Sequence, residues 1–319
     1  MEKETFIFDR NLFQKADQVR KRFCKDEVHL RGIIEFSNHC CRNCLYCGLR
    51  RDNKNITRYR MEPGEIAGLA VKIVAKGVNT IVLQSGDDFY YTQKSLGRII
   101  GEIKQRTGAA ITLSIGERPL DDYRAFRDSG ADRYLLKHET SNPALYRILH
   151  PGQALKQRLK ILEYLKKIGF QIGSGNIVGL PNQGIKDLVR DVLFLKELDV
   201  DMAGIGPFIP QKDTPLAAQP PGDLDLTLRI LAMARILTKN AHLPATTALA
   251  SLDRKNGQLR ALRSGANVIM PDFTPVGYRK DYRIYDNKIG LSLRKAKEII
   301  SKAKRTISRG RGDSLKKRP

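Results

Sequence analysis

Short apolar runs alternate with longer amphipathic stretches along most of the chain. Eight runs read as strands: Gly32–Phe36, Thr80–Gln84, Ala110–Ser114, Arg133–Leu136, Gln171–Val178, Asp201–Gly206, Pro244–Leu249 and Asn267–Met270. Each is short for a helix, and such apolar runs between turn signals suit buried parallel strands. The stretches between them carry helical spacing. Pro63–Gly77 has proline in its first turn, Glu65 just inside, and a glycine stop. Lys94–Arg106 stops before Gly108, and Leu155–Ile168 stops at Gly169. Asp187–Leu198 and Asp223–Leu237 follow. Eight strands alternating with helices predict an α/β fold, a (β/α)8 TIM barrel; a doubly wound sheet with fewer strands is the alternative. No Gly/Ser linker or repeat divides the chain. The expected organisation is a helical extension (1–26), a barrel (27–290) and a basic helix and tail (291–319).

In parallel barrels, ligand-binding groups sit on the loops that follow the strands. Here these loops read Ser37-Asn38-His39-Cys40, Gln84-Ser85-Gly86-Asp87, Lys137-His138-Glu139-Thr140, Gly175 to Gly179, Gly206 to Pro210, Thr246-Thr247 and Pro271-Asp272. Polar and glycine-rich ends on nearly every strand point to one site gathered at one face.

Composition narrows this further. A length of 319 residues with 41% hydrophobic content supports a large core and excludes global disorder. No apolar run reaches the ~18 residues of a membrane span, and Met1 to Arg10 lack a signal-peptide core, so a cytoplasmic protein is expected. The net charge is +23, and the last 26 residues hold eleven Lys and Arg against Glu298 and Asp313. Such charge raises nucleic acid as a partner, but no nucleic-acid motif accompanies it and none is expected to bind. The tail reads as a solvated helix followed by a loose basic end, or as a docking face for an acidic electron donor.

Of five cysteines, Cys40, Cys41, Cys44 and Cys47 crowd into eight residues, and Cys24 stands alone as a partly buried thiol. A disulfide framework would spread its cysteines. Cys40-x3-Cys44-x2-Cys47 instead offers three soft ligands in one loop, enough to hold a cubane cluster by three irons and leave the fourth open. Structural zinc is the rival, but it wants four ligands and no second cysteine pair follows.

This spacing after the first strand resembles the radical SAM superfamily signature, with Tyr46 in its aromatic position. Ser85-Gly86-Asp87 resembles the glycine-rich motif that binds the methionyl amino group. Gly175 to Gly179 resembles the backbone motif after the fifth strand, and Gly204 to Pro210 the segment lining adenine. Within the superfamily, Arg31 to Asn38, Asn43 to Asn53, Arg58-Tyr59-Arg60, Gly204 to Pro210 and Gly265 to Pro271 resemble the HydE family of [FeFe]-hydrogenase maturases, over about residues 8–285. Methylornithine synthase and biotin synthase fit these segments less well.

The resemblance implies that Cys40, Cys44 and Cys47 ligate a [4Fe–4S] cluster that cleaves S-adenosylmethionine (SAM) to a 5′-deoxyadenosyl radical. It implies SAM contacts from Tyr46, Ser85, Gly86, Asp87, Glu139, Arg158, Phe208, Ile209 and Pro210, with Arg158 on the carboxylate. Lys137, Thr246 and Thr247 match positions that hold a substrate carboxylate, and Met202 one over the cavity. The implied substrate is small and anionic, cysteine–iron or amino-acid-like. The implied partners are a reduced flavodoxin- or ferredoxin-type donor and other hydrogenase maturases.

Several positions depart from the family pattern. Lys137 stands where Arg is usual and lacks its bidentate fork. Asp87 replaces Glu, and Asn182-Gln183-Gly184 stands where Gly-Gln-Thr is usual. No cysteine follows Cys47, so a second, C-terminal cluster is not expected. A HydE-like enzyme with a different small substrate, a mutase of the methylornithine-synthase kind among them, is the alternative. An iron–sulfur scaffold or an RNA-modifying enzyme are readings from other classes.

Overall fold

The computed structural model describes residues 6–316. The chain opens with α1 (Leu12–Cys24), β1 (Glu27–Leu30) and β2 (Gly32–Ser37), then α2 (Pro63–Ala75) and β3 (Thr80–Ser85). Next come α3 (Gln93–Thr107), β4 (Ala110–Ser114), α4 (Leu120–Asp128), β5 (Arg133–Leu135), α5 (Pro143–Leu149) and α6 (Leu155–Lys167). β6 (Gln171–Ser174), β7 (Ile177–Val178), α7 (Ile185–Glu197), β8 (Met202–Ala203), β9 (Gly206–Pro207) and α8 (Leu224–Thr238) continue the alternation. The chain ends with β10 (Pro244–Ala245), α9 (Thr247–Leu252), α10 (Gly257–Arg263), β11 (Val268–Ile269), α11 (Val276–Arg279), α12 (Leu293–Lys302) and β12 (Thr306–Ile307).

β2-β3-β4-β5-β6-β8 form a six-stranded sheet, all pairs parallel, and β10-β11-β1-β12 a four-stranded one. Single bridges, Met202 to His242 and Ile33 to Asp272, join the two. The result is TIM-barrel-like, with seams made of isolated bridges rather than full ladders. β2 is buried along its whole length, as a strand covered on both faces must be. Leu83, Ile111, Leu113 and Ile172 pack a continuous core with the helices outside.

The expected helices appear within a few residues, with the caps that the sequence marks. Thr92 accepts from Ser95 N at the start of α3, Gly108 ends that helix in the left-handed region, and Asp223 caps α8. Three expectations change. Gln171–Val178 and Asp201–Gly206 each split in two, and their far halves, β7 and β9, pair as a small parallel sheet at the barrel mouth. Pro244–Leu249 is strand only to Ala245; Thr246 becomes an N-cap, and the helix-forming Ala-Leu-Ala-Ser-Leu run winds as α9. The basic end, expected to be loose, is built into the fold.

After α12, β12 pairs with β1, and residues 309–316 cross the N-terminal ends of the strands. Thr80 Oγ1 and Arg133 donate to Arg311 O, Arg31 to Gly312 O, and Gln171 and Arg133 to Asp313 Oδ1. Arg311 pairs with Asp132 at 2.7 Å and Lys316 with Asp199. The cations find acids that precede strands. The first five residues of the expected N-terminal extension and the last three of the tail lie outside the described residues. No helix among the described residues is long and apolar enough to cross a membrane.

Candidate functional site

The loops at the C-terminal ends of the strands surround a cavity of about 390 Å3. Cys40, Cys44 and Cys47 line it; Cys41 is exposed. The loop between β2 and α2 is anchored at several points. Cys41 N donates to Asp87 O at 3.0 Å, Leu45 N to Leu149 O at 2.9 Å, and Arg58 reaches the carbonyls of Asn38, Leu49, Arg50 and Asn53. Gly86 permits a close approach to the cysteines: a Cβ there would lie 2.4 Å from His39 O and 2.6 Å from Cys40 Cβ.

Burial pushes the Cys44 thiol up to about 11, the Cys47 thiol up to about 12, and the Cys40 thiol higher still. The thiolate that a metal needs is therefore expensive here until a cationic iron core offsets it. Backbone N–H groups of Arg42 and Asp87 point at Cys40 Sγ at 3.4 Å, and Gln153 Nε2 at Cys44 Sγ at 3.6 Å, the kind of donors that tune bound sulfur. Among the described residues, no three His, Cys, Asp or Glu side chains converge where one ion could sit. A cubane asks for something else, thiolates spread around a volume and each on its own iron. Three cysteines opening on one cavity fit that demand.

Of the residues expected at the site, all but one line the cavity. Pro210 does not; its carbonyl accepts from Asp286 N at 3.1 Å. Phe208 and Ile209, one and two residues earlier, do line it. Tyr46 donates to or accepts from His150 Nε2 at 2.8 Å. Glu139 sits at φ 63°, an uncommon backbone for a non-glycine residue, and its Oε2 lies 2.9 Å from Lys137 Nζ. Burial alone would raise the Glu139 pKa, but Lys137 beside it holds it below the usual carboxylate value. Thr247 Oγ1 meets Tyr285 OH at 3.0 Å, whereas Thr246 Oγ1 is buried with no hydrogen-bond partner among the described residues.

Two side chains have partners that the sequence did not announce. Arg158 is buried and pairs with Glu117 at 2.8 Å, while NH1 and NH2 donate to Lys137 O and Gln153 Oε1. Burial opposes its charge, but Glu117 and the surrounding oxygens raise its pKa. Asp87 accepts from Arg42 Nε at 2.7 Å and from Glu117 N at 3.1 Å, so its carboxylate is already shared. Gly116, at φ 74°, makes room for it, since a Cβ would fall 1.6 Å from Asp87 Oδ1. Glu117 therefore joins Arg158 and Arg42, and through its N–H orients Asp87. A Gly-acid pair just after β4 was the available signal. Deeper in the cavity, Lys288 pairs with Glu35 at 2.8 Å; burial carries Glu35 up to about 7 despite that cation, while Glu35 and Asp272 keep Lys288 charged.

A parallel barrel-like fold with three cysteines on the loop after its first inner strand defines a class. The sequence profile of the Radical SAM superfamily matches residues 34–235, and the chain belongs to that superfamily. It is a radical SAM enzyme, with a [4Fe–4S] cluster and SAM as its cofactors. The [FeFe] hydrogenase maturase subunit HydE of Thermotoga maritima is 53% identical over 282 residues, 88% of this chain and 80% of that protein. Within the superfamily, the chain belongs to the HydE family. The 3-methylornithine synthase of Methanosarcina acetivorans is 27% identical over 293 residues, 91% of this chain and 82% of that one. Among solved structures, a methylornithine synthase superposes with a TM-score of 0.82 at 24% identity, covering 93% of this chain and 88% of its own. HydG from Carboxydothermus hydrogenoformans superposes with 0.79 at 21%, covering 96% and 75%. Both likenesses speak for the fold.

Proposed function

We propose that this chain works in maturation of the [FeFe]-hydrogenase cofactor, acting on a small anionic, cysteine–iron or amino-acid-like molecule. Cys40, Cys44 and Cys47 each hold one iron of the cluster. When bound, cluster and SAM supply one-electron cleavage of the C5′–S bond to methionine and a 5′-deoxyadenosyl radical. The chain's own residues bind, orient and exclude water. Arg158, fixed by Glu117, offers its remaining N–H donors to the SAM carboxylate. Asp87 and the backbone of Ser85-Gly86 lie toward the ammonium group. Glu139 accepts from a hydroxyl, and Tyr46, Phe208 and Ile209 flank the adenine.

Lys137, Thr246 and Thr247 hold the substrate anion, and Met202 closes over it. The observation that carries this reading is that one cavity is lined by three cysteines and by Thr246, whose hydroxyl has no partner among the described residues. A flavodoxin- or ferredoxin-type protein supplies the electron, and other hydrogenase maturases receive the product.

The test is SAM cleavage by anaerobically reconstituted, reduced protein, with and without an iron–cysteine carbonyl/cyanide complex, followed by mass spectrometry. An adenosylated product that depends on the complex is expected. If 5′-deoxyadenosine forms at a rate indifferent to the complex, the substrate is another one, and if an intact cluster cleaves no SAM, the maturase reading fails.

A further inference from the structure

Cys41 is exposed while Cys40, Cys44 and Cys47 line the cavity. The loop is thus one layer thick, with the cavity on one side and solvent on the other. Beside it stand three large exposed apolar side chains: Phe89 (46% exposed), Tyr90 (61%) and Ile148 (58%). The backbone contacts of Cys41 and Leu45 bring two of these segments against the loop. Cys41 bonds Asp87, two residues before Phe89, and Leu45 bonds Leu149, next to Ile148.

The exposed rings are held in place. The Arg118 guanidinium lies 4.6 Å from the Phe89 ring and is itself fixed by Asp122, Asp88 O and Tyr91 O. The Arg60 guanidinium lies 4.4 Å from the Tyr90 ring and grips Asp88 through two hydrogen bonds. Rings fixed before a partner arrives lose little entropy on binding, and aromatic anchors dominate protein interfaces.

Charge selects the partner. Arg51, held beside Arg42 by a 2.7 Å backbone bond, and Lys54 and Arg147 are exposed around the loop, against Asp52. The basic tail cannot serve here, because it is tied to acids at the opposite ends of the strands.

We propose that the outer face of the cysteine loop, with Phe89, Tyr90 and Ile148 as apolar anchors and Arg51 and Arg147 as basic flanks, docks a small acidic one-electron carrier protein. This rests on the loop's being the cluster site. The exchange is balanced: the carrier loses one electron, the cluster gains it, and no bond or proton changes hands. A partner on this face is separated from the cavity by the cysteine loop alone, where Cys41 faces solvent and Cys40 lines the cavity.

The probe is a flavodoxin mixed with reconstituted holoenzyme. Affinity for the oxidised form is measured by calorimetry at two salt concentrations. Cluster reduction is followed by absorbance and electron paramagnetic resonance, with reduced flavodoxin and separately with dithionite. Arg51→Glu/Arg147→Glu should weaken binding and slow flavodoxin-driven reduction about tenfold or more, with a smaller salt dependence. Its dithionite-driven reduction should stay at the wild-type rate. Ile148→Ser should weaken binding without altering the salt dependence. Arg309→Glu, an exposed charge change on the tail, should alter neither. The proposal is overturned if the double variant matches wild type, if Arg309→Glu slows reduction as much, or if dithionite-driven reduction falls in parallel. Failure of the cluster reading would show separately, as wild-type protein with no cluster that either reductant can reduce.

Discussion

Gly86→Ala tests how tightly the end of β3 sets the cysteine loop. The added methyl would stand 2.4 Å from His39 O, 2.6 Å from Cys40 Cβ and 3.1 Å from Cys40 Cα. Ordinary contact begins near 3.4 Å, so the loop must retreat by roughly 1.0 Å at its nearest point. All three atoms belong to backbone or Cβ, which cannot rotate away. Metal–ligand distances tolerate only about 0.2 Å, so Cys40 should leave its iron. The global cost should be modest, about 1–3 kcal/mol for an overpacked site. The expected result is a folded protein, by far-ultraviolet circular dichroism, with much less iron after reconstitution and SAM cleavage down at least ~100-fold. Gly64→Ala is the control: among the described residues, no atom beyond its chain neighbours and its own helix backbone lies within 4 Å of a Cβ there, and it should bind iron normally. Full iron loading and wild-type cleavage in Gly86→Ala would refute the reasoning.

Glu117→Ala should cost about 3–5 kcal/mol, because it leaves the buried Arg158 without its anion; urea denaturation reads the loss, and KM for SAM should rise with it. Ending the chain at Ser308 removes Asp313 from the fully buried Arg133 and should lower stability by about 3 kcal/mol or more, with faster hydrogen exchange at the start of β5 and β6. His150 is held down to about 4, by burial first and by Arg158. The unfolded chain takes up this proton near 6.5, so the histidine's contribution is complete above that pH and is lost as pH falls toward 4, by about 3 kcal/mol in all. Glu35, raised to about 7, works in the opposite sense between 4.5 and 7, so the comparison is between variants: His150→Phe should flatten the acid-side fall in melting temperature.

The strands, their order and the cysteine loop were legible because each rests on local pattern. Ala110–Ser114 is both the run read from the sequence and the strand observed, and the glycine stops and N-caps mark helix ends through contacts a few residues apart. Three cysteines in eight residues need no tertiary knowledge to suggest a cluster. The resemblance carried the remaining site residues, and all of them except Pro210 do line one cavity.

The tertiary structure decided what depends on bringing distant strand ends together. Glu117 and Arg158 are 41 residues apart and meet only because β4 ends and α6 begins at the same mouth. Whether Thr246-Thr247 continues a strand or starts a helix is set by the turn after β10, not by the residues' β-branched shape. The tail shows the limit most clearly. Its charge reads as solvated when counted along the chain. Yet Asp132, Asp199 and Asp201 precede strands far apart in sequence, and only the barrel brings those strand starts together as one acidic rim for Arg311, Lys316 and Ser314. Periodicity is a property of neighbours, whereas charge pairing between distant strand starts is a property of how the sheets assemble.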